Sequence, residues 1–119
     1  MATFTKRKLS GCADGLPIKI AATATPGTTI HTAVAGTTAG TFDEIWLYAY
    51  NGHTTSVVLT IEYGGATVPD QNIVITLANK SGLTLIVPGL ILQNSLVVKA
   101  FASVTNVITI SGYVNTMTD

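Results

Sequence analysis

Residues 44–50, reading EIWLYAY, are apolar or aromatic on both faces of any strand they form. Successive side chains of a strand point to opposite sides, so Ile45, Leu47 and Ala49 share one face and Trp46, Tyr48 and Tyr50 the other. A sheet with one face in water cannot use both. A second sheet must cover one side, and the aromatic side then either meets another subunit or serves as a binding platform. The surrounding stretch, residues 43–65, reads as a β-hairpin. Its second arm, residues 56–63, sets Val57, Leu59, Ile61 and Tyr63 against Val58, Thr60 and Glu62. The polar link 51–55 contains Asn51-Gly52, a pair that tolerates positive φ and reverses the chain cheaply.

A chain of 119 residues is long enough for one domain that removes roughly two-thirds of its unfolded surface from water without disulfides or metal. Charged residues make up 10% of it, against roughly a quarter in an average soluble domain. Thr, Ser, Asn and Gly take their place. Thr is β-branched and sits on either a wet or a half-buried strand face, so the bias favours an all-β protein with a weakly charged surface. Zero formal net charge makes an isolated copy prone to association, which is the composition of an assembly subunit.

The N-terminal residues MATFTKRK lack the apolar run of a signal peptide, so cytoplasmic synthesis is expected. Residues 83–102 are the most hydrophobic stretch, but Pro88, Gly89, Gln93, Asn94, Ser95 and Lys99 divide them into strands rather than a membrane-spanning helix. No membrane partner is expected. The single Cys12 has no internal disulfide partner.

Residues 1–16 read as a basic N-terminal arm or edge strand, carrying Lys6, Arg7 and Lys8, and residues 17–119 as a single β-sandwich domain. Lysines on an edge strand discourage sheet-to-sheet aggregation; alternatively the arm reaches an acidic surface on a neighbouring subunit. Three clustered cations without interleaved aromatics neutralise few phosphates, so no nucleic-acid partner is expected. Further strands are expected at 17–24, 28–35, 71–77, 83–87, 96–102 and 106–114, with Pro88-Gly89 breaking the apolar run and residues 90–92 continuing it or forming a bulge. Residues 83–87 are almost wholly apolar, which predicts burial on both sides. Eight or nine short antiparallel strands, with turn signals every eight to twelve residues, give an all-β, two-sheet β-sandwich. A strand count near eight and the lack of a Cys–Trp–Cys arrangement favour a jelly-roll-like topology over an immunoglobulin-like one.

Sites for chemistry are sparse. His31 and His53 stand in no HxH, HExxH or CxxC context, so no metal and no cofactor is expected. No serine lies in a GxSxG elbow. Glycoside hydrolysis needs two facing carboxylates; Glu44 and Glu62, on the two arms of the expected hairpin, are the nearest candidates, and an exposed pair or a subunit salt bridge is their simpler use. The reading is of a protein that is not an enzyme. Trp46, Tyr48 and Tyr50 are candidate interface residues, together with Lys6, Arg7 and Lys8; aromatics are enriched in protein interfaces, although such a row can also stack on sugars.

The segments KRKLSG at 6–11, IKIAATATPGT at 18–28, DEIWLYAYN at 43–51 and TIEYGG at 60–65 resemble small virion structural proteins of tailed bacteriophages. The likeness spans most of the chain and is one of texture: Thr-rich short strands, an aromatic strand ending at Asn, a strand ending in Glu-Tyr-Gly-Gly. It implies an all-β capsid decoration, or cement, protein. Such a protein forms a homo-oligomer, here expected to be a trimer, on the capsid surface of the virion and braces the phage major capsid protein. A virion-surface glycan-binding module and a tail, baseplate or connector subunit are the alternatives.

Overall fold

The computed structural model describes residues 2–119. Among them the regular structure is β throughout: β1 (Thr3–Lys8), β2 (Ile18–Lys19), β3 (Thr28–Thr32), β4 (Phe42–Asn51), β5 (Val57–Tyr63), β6 (Asn72–Leu77), β7 (Thr84–Leu92), β8 (Val97–Ala102) and β9 (Ile108–Thr118). One antiparallel sheet runs β1, β9, β4, β7, with β2 also paired to β9 beyond the end of β1. The other runs β3, β8, β5, β6. The two pack face to face as a β-sandwich, and the fold expected from strand count and spacing is the one found.

The pairs β5–β6, β4–β7, β3–β8 and β2–β9 nest one outside the next and alternate between the sheets. This is jelly-roll wiring, a long hairpin folded round its own core. Successive windings meet along β4–β9 and β5–β8.

That wiring corrects the expected hairpin at 43–65. β4 and β5 belong to different sheets, because β4 is paired with β9 along its whole length and with β7 on its other side, leaving no edge for β5. The Asn51-Gly52 turn is a corner between sheets. The Asn51 amide donates to Thr55 O at 3.1 Å and, across the sandwich, to Leu77 O at 2.9 Å, while its Oδ1 accepts the His53 N–H at 2.8 Å. Glu44 and Glu62 are therefore not neighbours.

Two other expectations shift, and a third holds. The strand at 17–24 shrinks to Ile18–Lys19, since beyond it the chain leaves the sheet to cross the other layer. Residues 83–87 are not buried on both sides: Ile86 and Val87 face the core, whereas Leu85, opposite Tyr48 on the outer face of the first sheet, is 46% exposed and Leu83, just before β7, is 66% exposed. Residues 90–92 continue the strand past Pro88-Gly89 as expected, with a bulge: Pro88 stands opposite Trp46 and Leu90 opposite Ile45, so Gly89 is passed over, and a proline is tolerated because β7 is an edge.

The core is built from the alternating inward positions. Ile45, Leu47, Ile110 and Val114 of the first sheet meet Ile30, Leu59, Ile61 and Val98 of the second, all fully buried. Part of the second sheet's outer face is also covered. The chain between β2 and β3 lies across it so closely that a Cβ on Gly27 would stand 2.6 Å from the Ala100 carbonyl carbon. Beneath this strap Glu62 is 2% exposed, accepting the Gly27 N–H at 2.6 Å and the Thr25 hydroxyl at 2.5 Å.

Removing the Asn51 side chain takes its buried bond from the Leu77 carbonyl and frees the corner. Asn51→Ala should cost about 2 kcal/mol in urea unfolding; an unchanged midpoint would mean that the backbone alone holds the turn.

Candidate functional site

The outer face of the first sheet holds the candidate aromatic residues. Trp46, Tyr48 and Tyr50 alternate with the buried Ile45, Leu47 and Ala49, each half-buried on the side away from the core. Trp46 is in register with Tyr113 of β9, and their rings stack with centroids 6.3 Å apart and planes 13° from parallel. Lys6, from β1 on the far side of β9, sets its Nζ 4.4 Å from the centre of the Tyr113 ring, a cation–π contact. On the other side of Trp46 stands Gly89 of β7, with φ +76°; a Cβ there would come within 2.8 Å of the indole Cζ2.

Lys6, Tyr113, Trp46 and Gly89 thus form one row across four strands. Because β1 and β4 flank β9 from opposite sides, the two faces of Tyr113 are taken by Lys6 and Trp46. A sugar platform offers a free ring face to the pyranose, and here the Tyr113 ring is engaged by Lys6 and Trp46 and the Trp46 indole by Tyr113 and Gly89.

The polar end of the row is Glu44. Its Oε1 accepts the Trp46 indole N–H at 2.8 Å and the Asn115 amide at 3.0 Å, and these two donors, the indole first, hold its carboxyl below the ordinary glutamate range.

Lys6, Arg7 and Lys8 lie on β1, the outermost strand of this sheet. Lys6 and Lys8 share the outer face with Asn115 and Tyr113, while Arg7 pairs with the inward Val114 and projects over the opening between the sheets. The structure therefore divides the cluster: Lys6 joins the aromatic row and Arg7 does not. Tyr113, Asn115 and Gly89 are additions that sequence reading missed. The strand expected at 106–114 runs on to Thr118, and the alternation of Tyr113, Asn115 and Met117 with Val114 and Thr116 was the available signal.

The opposite flank, formed by the edges β6 and β7, is apolar. Val74 is 62%, Leu85 46% and Ile91 57% exposed. Across residues 71–98, which hold both edge strands, Lys80 is the one charged residue. Edges normally carry charge to block pairing with another chain, as β1 does here.

Between β1 and β3 a polar network closes the other side. Asp43, 2% exposed, accepts from the Thr116 hydroxyl at 2.7 Å, from His31 Nε2 at 2.6 Å and from the Val34 N–H at 3.2 Å. His31 Nδ1 accepts the Ser10 backbone N–H at 3.0 Å, which fixes the proton on Nε2. The Ser10 hydroxyl accepts the Thr32 N–H and makes no bond to the imidazole. With its lone pair already engaged by a backbone amide, His31 is not placed to deprotonate Ser10, and the trio is structural despite its Ser, His and Asp membership. Nearby, burial and then the charge of Asp43 push the Tyr63 phenol far above its usual pKa, and its hydroxyl is buried without a partner.

Among the described residues no group of three or more His, Cys, Asp or Glu side chains is gathered to hold a metal ion. No helix is long and apolar enough to cross a membrane. No family model matches the chain, and neither a curated protein nor a solved structure does.

A depressed carboxyl pKa contributes stabilisation that is complete above the unfolded value and lost as pH falls through the folded one. Tryptophan emission should hold steady through the ordinary glutamate range, near about pH 4.3, and change only below it, and Glu44→Gln should abolish the change. A transition centred at or above the ordinary value contradicts the Glu44–Trp46 contact.

Proposed function

We propose that this chain is a structural subunit of a phage particle, a capsid decoration protein that assembles with copies of itself and braces the capsid lattice. The observation that carries the reading is the uncharged β6–β7 flank. Val74 on the outer face of the second sheet, and Leu85 and Ile91 on that of the first, are exposed aliphatic side chains beside two uncharged edges with free backbone groups. Burial against protein satisfies both the side chains and the edges.

At β7 the flank passes into the aromatic face of the first sheet, where Trp46 lies against Gly89 and Leu85 and Ile91 stand opposite Tyr48 and Glu44. The free β6–β7 edges and that face are different surfaces of one copy. Contact between them is heterologous, and a heterologous contact that closes makes a ring, of which three is the smallest. A trimer is the oligomer this arrangement favours. Its mechanism is mechanical: apolar and Thr-rich surface buried between copies and against the major capsid protein resists expansion of the shell.

Light scattering on the purified protein should give three times the chain mass of 12.3 kDa. Val74→Lys with Leu85→Lys, both at exposed positions, should give the single-chain mass with an unchanged circular dichroism spectrum. A wild-type monomer removes the support for an assembly subunit. Particles assembled without this chain should lose resistance to heat, and equal resistance would reject the decoration role.

A further inference from the structure

The formal charge balance hides an asymmetry. Of the acidic residues, Asp43 and Glu62 are each 2% exposed, which leaves Asp14, Glu44, Asp70 and Asp119 to face six Lys and Arg. Arg7 and Lys8 form an ion pair with none of them. Among the described residues no Lys or Arg stands within ion-pairing distance of an Asp or Glu, the one such contact being that of Asp43 with the neutral His31, and neither the Arg7 guanidinium nor the Lys8 ammonium makes a side-chain hydrogen bond.

Both cations line a cleft of about 670 Å³, together with Ser10, residues 31–35 and Asp43, a volume in the range of ligand-holding clefts. It opens between β1 and β3, the outermost strands of the two sheets on that side. Two strand edges border it, a setting that can receive an extended chain. The Ser10 hydroxyl accepts from Thr32 N–H at 2.7 Å and keeps its own proton to donate.

The acid at the floor does not oppose an incoming anion as a bare charge would. Asp43 is already engaged by Thr116, His31 and Val34, and the imidazole stands between it and Ser10. What the cleft offers is a guanidinium able to take a carboxylate through two parallel N–H bonds, a hydroxyl donor, and, at its outer rim, Lys8, whose side chain starts from the outer face of β1.

From this placement we infer that the β1–β3 cleft is a docking site for an extended acidic peptide segment of a partner protein, with Arg7, Lys8 and Ser10 as its carboxylate donors. The site lies on the flank away from β6 and β7. It is present on a single copy and does not rest on self-assembly.

The test is fluorescence anisotropy with a labelled hexaglutamate peptide on the full chain at low salt, paired with NMR of the His31 imidazole. Binding should weaken at least tenfold in Arg7→Ala with Lys8→Ala, two exposed side chains whose loss removes no core contact. It should be unchanged in Lys80→Ala with Lys99→Ala, and also in Val74→Lys with Leu85→Lys. The His31 ring signals should move during titration. Equal loss in the Lys80 and Lys99 variant, retained binding in the Arg7 and Lys8 variant, no binding by the wild type, or still His31 signals would each overturn the inference. So would tighter binding of a single-stranded DNA of equal charge, which would make the cleft a phosphate-backbone contact.

Discussion

The ten-position ladder between β4 and β9 is the interaction on which the rest of the molecule depends. It joins the middle of the chain to its end and so closes the winding of the sandwich. Because β9 also carries β1 and β2 on its other side, the same ladder places the basic edge, the aromatic row and the inter-sheet cleft relative to one another. A strand paired on both sides with one face in the core has only its outer face left for recognition. Trp46, Tyr48 and Tyr50 occupy that face.

A second constraint comes from the buried carboxylates. A chain with few charges places two of its acids where water scarcely reaches, and each is satisfied by donors from another segment. Asp43 ties β4 to β9, to His31 of β3 and to Val34 just beyond it. Glu62 holds the strap between β2 and β3 against the outside of the second sheet. Unpaired buried carboxylates are costly, so these bonds make the crossing segments hard to detach. They also leave the exterior richer in cations than the composition indicates.

Local alternation made the strands readable. Ile45, Leu47 and Ala49 against Trp46, Tyr48 and Tyr50 needed only a period of two, and strand count with turn spacing was enough for a two-sheet fold. Partner choice was not readable in the same way, because a strand's own sequence does not record which distant strand lies beside it. Asn51-Gly52 signals a reversal equally well within a sheet or between sheets; the Asn51 bond to Leu77 O decides between them, and that contact spans 26 positions. Glu62 reads as a surface residue until the small-residue strap covers it. The aromatic row was half legible: three members share one strand, whereas Tyr113 and Gly89 reach it only through pairing.

The nested wiring leaves β5–β6 as the one pair of strands that are neighbours in both sequence and space. Every other ladder joins segments separated by at least one intervening strand, and the entropy of closing a loop rises with its length. That cost is lowest for β5–β6 and rises outward through β4–β7 and β3–β8 to the terminal strands. Topologies of this kind fold slowly, and β6 and β7 carry no charge to guard them, whereas the lysine-bearing β1 is joined through the longest connection. Until that guarded edge is in place, a partly folded copy offers two uncharged edges to mispairing with another chain.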